Sequence, residues 1–322
     1  MEQFPQISAK TVFNGTFFNK FNKYTTDQFV LREEFRKLKI NAEFNLLRKS
    51  DYNNLYQYGD YIISQTYPLN EKSVLNISKK INQIYEQYLT DQNNVYFTIV
   101  PDKNYFINDE NLKLDYNKLE NLLNRNLSFA KYIRIFDMLE LEDYYKTDTH
   151  WKQERLLKVA KTIAESMNVN LENEYKEKTI CDFQGTYSGQ LPISTAKDKI
   201  KILTNSEIEK SKVYNYETKK ENKVYNMEKI NSLDKYDIYL SGATPVLKIE
   251  NPENKTGNEL IIFRDSYASS LVPLFIPKYS KITLIDTRYI SPKLLPNYVE
   301  FNNQDILFMY STLVINNSYS LK

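Results

Sequence analysis

Apolar residues recur every three or four positions within residues 27–49, which predicts an amphipathic helix. The members of this stripe are Leu31, Phe35, Leu38, Ala42 and Leu46. A second stripe predicts another helix that begins after Ser73, a residue suited to the N-cap position. Its members are Val74, Ile77, Ile81, Ile84 and Tyr88.

Beyond residue 90 the pattern changes to short β-rich runs that are bounded by polar residues. Six such runs lie at 95–101, 131–137, 237–240, 259–264, 281–286 and 305–310. Several are continuously apolar, as expected for strands that are covered on both faces. A helix is predicted over 152–167, between two of these runs. Strands that alternate with helices favour a mostly parallel sheet, flanked by helices, in a layered α/β domain.

The 322 residues exceed the usual length of one small domain. We expect an N-terminal helical region over residues 1–90, packed on a main α/β domain over residues 91–322. Within the main domain, residues 205–235 are rich in Lys, Glu and Asn and contain neither Gly nor Pro. This composition predicts a surface insertion.

Charge and cysteine content narrow the classes of function. The chain has 43 basic and 41 acidic residues, so it lacks the basic surplus of a nucleic-acid-binding protein. Cys181 is the only cysteine, which excludes an internal disulfide and a cysteine-based metal site. The sequence shows no nucleotide-binding glycine loop. No cofactor and no metal are therefore expected, although a carboxylate-only magnesium or calcium site stays open.

His150 is the only histidine, and Asp148 lies two positions before it. In an extended segment these two side chains would point to the same side. The carboxylate would then accept the Nδ1–H bond of the imidazole and leave Nε2 to act as a general base. A histidine that packs beside Trp151 and pairs with a neighbouring Asp would show the same spacing, so the spacing alone does not decide between the two.

Ser266 is a candidate nucleophile for this base. It follows the apolar run 259–264 and precedes an apolar helical pattern, which places it at the carboxyl end of a strand, where open α/β sheets bind ligands. Its backbone N–H, near a helix N-terminus, could donate to an oxyanion. Simple capping of the helix by Asp265 or Ser266 explains the same residues.

Taken together, the motifs resemble those of the bacterial alginate O-acetylation proteins AlgJ and AlgX, and more closely the DHHW proteins of low-GC Gram-positive bacteria. The blocks run from about residue 95 to residue 290. Those that carry the resemblance are Val100-Pro101-Asp102-Lys103, Tyr145-Lys146-Thr147-Asp148-Thr149-His150-Trp151, Gly185-Thr186-Tyr187-Ser188-Gly189, Asp265-Ser266-Tyr267-Ala268 and Asp286-Thr287-Arg288-Tyr289. The sequence departs from the DHHW name at Thr149, a position between the two proposed catalytic residues.

The resemblance implies an SGNH-hydrolase-like α/β fold in which the catalytic Asp and His precede the catalytic Ser. It implies an enzyme that acetylates a secreted polysaccharide, with a membrane-bound O-acyltransferase supplying the acetyl group. It also implies an extracytoplasmic location and an N-terminal membrane anchor outside this sequence. A polysaccharide acetylesterase with the same triad is the first alternative. A non-catalytic carbohydrate-binding subunit of an export complex is the second.

The expected catalytic triad is Ser266, His150 and Asp148. A second group of residues is expected to hold the oxyanion or the substrate. Its members are Gly189, Arg288, Lys103, Trp151 and Tyr267. Gly189 is a candidate because a glycine lets the backbone approach a ligand, and the aromatic rings are candidates for stacking on sugars. Pairing of Arg288 with Asp286, and packing of the aromatic side chains, are the alternatives.

Overall fold

The structure is a computed structural model that describes residues 3–29, 31–47, 49, 51–107, 111–191 and 196–322. These residues form ten α-helices and twelve β-strands. The helices are α1 (Ala9–Phe13), α2 (Thr16–Asp27), α3 (Arg32–Asn41), α4 (Glu71–Tyr88), α5 (Tyr116–Asn126), α6 (Leu157–Ser166), α7 (Thr186–Gln190), α8 (Ser206–Lys210), α9 (Ala268–Leu271) and α10 (Thr312–Asn316). The strands are β1 (Leu55–Tyr58), β2 (Tyr61–Ser64), β3 (Val95–Val100), β4 (Lys131–Tyr132), β5 (Lys176–Phe183), β6 (Asp198–Thr204), β7 (Lys212–Asn215), β8 (Lys220–Asn222), β9 (Val246–Glu250), β10 (Glu259–Arg264), β11 (Lys281–Ile285) and β12 (Asp305–Ser311).

Eight strands form one large sheet in the order β4-β3-β12-β10-β11-β9-β7-β8. The first five strands of that order are parallel to one another, and β9, β7 and β8 add antiparallel pairs at one edge. The mostly parallel α/β sheet predicted from the sequence is confirmed. Because parallel strands end at the same edge, the segments that follow β3, β10, β11 and β12 lie together there.

The central strand β10 is buried on both faces. Leu260 and Ile262 belong to a core that includes α6, whereas Ile261 and Phe263 belong to a second core that includes α4 and α5. Because both faces of such a strand are buried, its side chains do not alternate between polar and apolar, which explains the unbroken apolar sequence. Its predicted and observed limits coincide at Glu259 and Arg264.

Two predicted strands differ from the structure. Residues 131–137 form only the two-residue strand β4, and a 3₁₀ turn covers Phe136–Met138. Residues 237–240 lie in and after a 3₁₀ helix at Lys235–Ile238. Asp234 caps this helix through the Tyr236 N–H, and Leu240 has a left-handed backbone with φ of 56°. Both features turn the chain away from a strand conformation.

The predicted helix over residues 27–49 is interrupted. The structure places the end of α2, the whole of α3 and a π-helical turn at Ala42–Leu46 in this range, with residues 30 and 48 outside the described residues. The second helix is confirmed as α4, but Asn70 is its N-cap. Ser73 instead lies inside the helix, where its buried hydroxyl donates to the Ile315 carbonyl at 2.8 Å.

The polar segment 205–235, predicted as a surface insertion, contributes α8, β7 and β8. Strand β7 pairs with β9, so part of this segment extends the large sheet. Residues 1–90 contain the hairpin β1–β2 in addition to helices. The division of the chain at residue 90 stays a prediction. Within the described residues, no helix has the length and apolarity needed to cross a bilayer.

Candidate active site

Ser266 stands in a turn just beyond β10, at the edge where the parallel strands end. The side chain of Asp265 holds this turn by accepting the Tyr267 N–H at 3.0 Å and the Ser311 N–H at 2.7 Å. These bonds tie the turn to the end of the neighbouring strand β12. Ser266 itself is half-buried at this edge.

Asp148 and His150 lie in a tight loop that closes between Tyr144 and Trp151. An isolated β-bridge joins these two residues, and the Tyr145 N–H donates to the His150 carbonyl at 3.0 Å. Inside the loop, the His150 N–H donates to the Asp148 carboxylate at 3.0 Å. The two side chains therefore point to the same side because of a local turn, and not because the segment is extended, as the two-residue spacing predicts.

The structure brings the three predicted catalytic side chains together. His150 Nδ1 lies 2.6 Å from Asp148 Oδ1, and His150 Nε2 lies 2.8 Å from Ser266 Oγ. Both distances are within hydrogen-bonding range. The contact between His150 and Ser266 joins residues that are 116 positions apart in the sequence. With Nδ1–H donating to the carboxylate, Nε2 is free to accept the serine proton.

Asp148 is buried and accepts hydrogen bonds on both oxygens. Its Oδ2 accepts the Thr186 N–H at 2.8 Å and the Thr186 hydroxyl at 3.0 Å, while Oδ1 forms a hydrogen bond with His150 Nδ1. Burial alone would raise the pKa of Asp148, but the charge and hydrogen bonds of His150 and the N–H of Thr186 outweigh it. The pKa is held below its usual range, so the carboxylate is ionised at neutral pH.

Asp198, at the start of β6, secures the loop from the other side. Its carboxylate accepts the N–H groups of Lys146 and Thr147 at 3.0 and 2.8 Å, and the Thr147 hydroxyl at 2.6 Å. Asp198 is a part of the site that the sequence alone does not indicate. Nothing in the sequence near residue 198 points to the loop some fifty residues earlier, because the contact arises only in the folded chain.

The glycine that the site requires is Gly185. A Cβ atom at that position would lie 2.2 Å from the Asp148 Cβ and 2.7 Å from its Cα, so no larger residue fits. Gly189, the predicted oxyanion donor, is exposed, has open space around it, and accepts a hydrogen bond from Arg36 through its carbonyl. Within the described residues, no hydrogen bond joins Gly189 to Ser266. A part of Gly189 in holding the oxyanion stays a prediction.

Tyr236 is a further component of the site that the sequence analysis missed. Its ring stacks on the His150 imidazole, with centroids 3.8 Å apart and planes within 5°. Its buried hydroxyl donates to the Ser270 hydroxyl at 2.8 Å. The ring thus covers one face of the imidazole. A lone tyrosine in a polar segment carries no sequence signal for this role.

Trp151 and Tyr267 are both buried, so the expectation that they stack on sugar rings is wrong. The Trp151 indole N–H donates to the Tyr267 carbonyl and the Ser270 hydroxyl, each at 3.0 Å. The Tyr267 hydroxyl donates to the Thr149 carbonyl at 2.7 Å. These bonds fasten the loop of His150 to the turn of Ser266, which is a positioning role.

Lys103 and Arg288 also have protein partners. The buried Lys103 ammonium donates to the carbonyls of Ile62 and Tyr145, so it faces the interior and is unsuited to bind substrate. Burial lowers the pKa of Lys103 to about 7 although the Asp148 carboxylate lies nearby. Arg288 donates twice to Asp286, at 2.9 and 2.6 Å. The structural pairing of Arg288 is observed, and a part in substrate binding stays a prediction.

Ser266 also offers a donor for a developing negative charge. Among the described residues, no acceptor is bound to the Ser266 backbone N–H, which directly adjoins the hydroxyl. An N–H in this position can stabilise the oxyanion of an acyl-transfer intermediate.

The described residues contain no grouping of three or more His, Cys, Asp or Glu side chains arranged to hold a metal ion.

No protein-family model matches the sequence, and no curated protein matches it either. Solved structures do match. A DHHW family protein from Eubacterium siraeum aligns with a TM-score of 0.67 at 21% identity, over 84% of this chain and 94% of that one. PatB1 from Bacillus cereus aligns with a TM-score of 0.64 at 16% identity, over 81% and 96% of the two chains.

The O-acetyltransferase domain of AlgJ from Pseudomonas putida also matches, with a TM-score of 0.50 at 10% identity, over 82% of this chain and 92% of that domain. At these identities the comparisons concern the fold alone. They agree with the resemblance to DHHW and AlgJ proteins drawn from the motifs. The chain thus has the SGNH-hydrolase-like α/β fold shared by a DHHW family protein, PatB1 and the O-acetyltransferase domain of AlgJ.

Proposed function

We propose that the chain is an O-acetyltransferase that acts on a secreted polysaccharide through an acetyl-Ser266 intermediate. The observation that carries this proposal is the hydrogen-bonded series Asp148–His150–Ser266, with contacts of 2.6 and 2.8 Å. The series ends at a half-buried hydroxyl on the carboxyl edge of the sheet. A nucleophile, its base and the group that orients the base are the parts that acyl transfer needs.

In the first half-reaction, Ser266 Oγ attacks the carbonyl carbon of an acetyl ester, and His150 Nε2 takes the hydroxyl proton. The tetrahedral intermediate places its negative oxygen near the Ser266 N–H. As this intermediate collapses, the bond to the donor oxygen breaks and His150 returns the proton to that oxygen. The products are acetyl-Ser266 and the free alcohol of the donor.

In the second half-reaction, a sugar hydroxyl attacks the acetyl carbon and again gives its proton to His150. The bond between the acetyl group and Ser266 breaks, and the proton passes to Ser266 Oγ. Asp148 stabilises the imidazolium in both half-reactions because it is ionised and bound to Nδ1. The net reaction moves one acetyl group from a donor ester to a sugar and consumes no cofactor.

Two features of the structural neighbours support the proposal. AlgJ contributes an O-acetyltransferase domain of this fold. PatB1 has been captured with a sulfonyl adduct, and sulfonyl reagents modify activated nucleophiles. As parts of the same proposal, the protein acts outside the cytoplasm and a membrane-bound O-acyltransferase supplies its acetyl group.

The test combines p-nitrophenyl acetate with oligosaccharides of the cellulose, alginate and hexosamine types. Acetylated sugar and free acetate are followed together by mass spectrometry. We expect acetylated oligosaccharide with the wild-type protein and none with Ser266→Ala. Ser280→Ala is the matched control, since the Ser280 hydroxyl binds the Asn258 carbonyl at the opposite edge of the sheet and should leave activity unchanged.

The alternatives give different results when the assay is repeated with pre-acetylated polymers alongside the oligosaccharides. A polysaccharide acetylesterase would release acetate from pre-acetylated polymers efficiently and acetylate no oligosaccharide. A non-catalytic carbohydrate-binding subunit would release no p-nitrophenol above the level of Ser266→Ala. Either outcome would overturn the transferase proposal.

A further inference from the structure

The apolar stripe that the sequence places in residues 27–49 is exposed in the structure. Leu31, Phe35 and Leu38 follow one another at helical spacing on and before α3, and they are 62%, 54% and 64% exposed. Phe29, itself 55% exposed, packs against Phe35 with ring centroids 5.5 Å apart. We call these four residues the outer stripe. An amphipathic helix normally buries its apolar stripe, so an exposed stripe is unusual for a helix that packs on a domain.

The opposite side of α3 is the side that packs on the rest of the protein. Ile40 is fully buried and packs with Leu55, Ile62 and Leu191. Arg36 donates to the Gly189 carbonyl in α7. These contacts fix the helix on the domain, and the outer stripe therefore faces away from it.

Exposed apolar side chains are concentrated in this part of the molecule. Of the twenty exposed large hydrophobic residues among the described ones, ten lie between Phe4 and Leu47. Phe13, at 91%, and Phe18, at 56%, are further exposed rings of this N-terminal segment. Exposed apolar groups at this density mark an interaction surface more often than ordinary solvent exposure does.

The same segment is basic. Residues 1–50 contain nine Lys or Arg and five Asp or Glu, so they hold an excess of four positive charges in a chain whose net charge is +2. Among the described side chains of residues 3–49, Glu34 is the one exposed acid. The exposed basic side chains there are Lys10, Lys20, Lys23, Lys37, Lys39 and Lys49.

We propose that the outer stripe and the exposed lysines of the same helix, Lys37 and Lys39, lie on the surface of a bilayer that contains anionic phospholipid. Phenylalanine and leucine side chains would enter the boundary between headgroups and acyl chains, and the lysines would contact the phosphates. The excess of positive charge in residues 1–50 selects this occupant, since an apolar protein partner or a second copy of the chain would not need it.

The proposal does not depend on the proposed catalytic activity, but the geometry links the two sites. Helix α3 binds α7 through Arg36, and α7 begins with Thr186, which binds the Asp148 carboxylate. A membrane under α3 would thus lie one helix away from the triad. That position suits an enzyme whose acetyl donor is delivered at a membrane.

The experiment measures co-sedimentation of the full chain with two kinds of vesicle, pure phosphatidylcholine and phosphatidylcholine mixed with phosphatidylglycerol. We expect binding to the mixed vesicles, weaker binding to the neutral ones, and loss of binding as salt is raised. Phe35→Ser with Leu38→Ser should weaken binding at least about tenfold. Lys37→Gln with Lys39→Gln should weaken it about twenty-five-fold, at about fivefold per lysine.

Leu75→Ser is the matched control, because Leu75 is an exposed leucine of α4 outside this segment and 47% exposed. It should leave vesicle binding unchanged. All substituted residues are exposed, so thermal unfolding should match the wild type and exclude misfolding as the cause. Absence of binding to the mixed vesicles would overturn the proposal. So would sedimentation-velocity data that show a dimer which the Phe35 and Leu38 substitutions dissociate.

Discussion

The Tyr236 ring lies parallel to the His150 imidazole, with their centroids 3.8 Å apart. The stack limits rotation of the imidazole, and the Tyr236 hydroxyl is itself held by Ser270. Two contacts thus hold the His150 ring. Tyr236 packs on its face, and Asp148 forms a hydrogen bond with its Nδ1 atom. Preorganisation of this kind favours proton transfer because the imidazole is already in the orientation that the transfer requires.

Removal of the Tyr236 ring should reduce turnover more than removal of its hydroxyl. We expect Tyr236→Ala to lower kcat for p-nitrophenyl acetate by roughly ten- to a hundredfold, as expected for a misplaced catalytic group. Tyr236→Phe keeps the stack and should stay within a few-fold of the wild type. Equal losses in the two variants would assign the effect to the hydroxyl and its bond to Ser270.

Substitutions within the triad should fail to add. His150→Ala should cost about as much activity as Ser266→Ala, at least about a thousandfold each, because the residues act as one unit. The double variant should lose little more than either single one. Steady-state rates with p-nitrophenyl acetate give the comparison. Losses that multiply in the double variant would show that the two residues act independently.

Gly185 and Gly189 should respond to alanine in opposite ways. Gly185→Ala forces a Cβ to within 2.2 Å of the Asp148 Cβ, so we expect a loss of about 1–3 kcal/mol in the free energy of unfolding and a displaced Asp148. Gly189→Ala finds open space in α7 and should be neutral or stabilising by up to about 1 kcal/mol. Urea unfolding and esterase assays of both variants test this. An inactive but fully stable Gly189→Ala would contradict this expectation for Gly189 and support it as an oxyanion donor.

Lys103 should make stability depend on pH. Burial lowers its pKa from 10.5 to about 7 in the folded protein. Between these values the unfolded chain holds a proton that the folded protein has released, so the free energy of unfolding should rise with pH across this window. The rise from this group is at most about 1.4 kcal/mol per pH unit. A neutral amine still has two N–H bonds for the carbonyls of Ile62 and Tyr145.

Lys103→Met provides the measurement, since methionine keeps the length of the side chain without the charge. Urea unfolding is compared at about pH 7 and about pH 10 for both proteins. The wild type should gain stability over that interval relative to Lys103→Met. Parallel pH profiles for the two proteins would mean that Lys103 does not change its protonation within the window.

Several features could be read from the sequence because they depend on local pattern. The run at 259–264 is continuously apolar since β10 is enclosed by two cores, and any such strand must lack a polar face. Helix α4 keeps its stripe because one face packs on the sheet. Asp148 and His150 are two residues apart, so a short turn suffices to pair them. Each of these features involves residues close together in the chain.

Other features depended on contacts between distant residues. The sequence shows an apolar stripe at Leu31, Phe35 and Leu38, but the burial of Ile40 on the opposite side decides that the stripe is exposed. Gly185, and not Gly189, is required because Asp148 lies against it in the folded chain. Periodicity records which side chains are apolar, whereas burial and hydrogen-bond partners are set by surfaces that only the tertiary structure brings together.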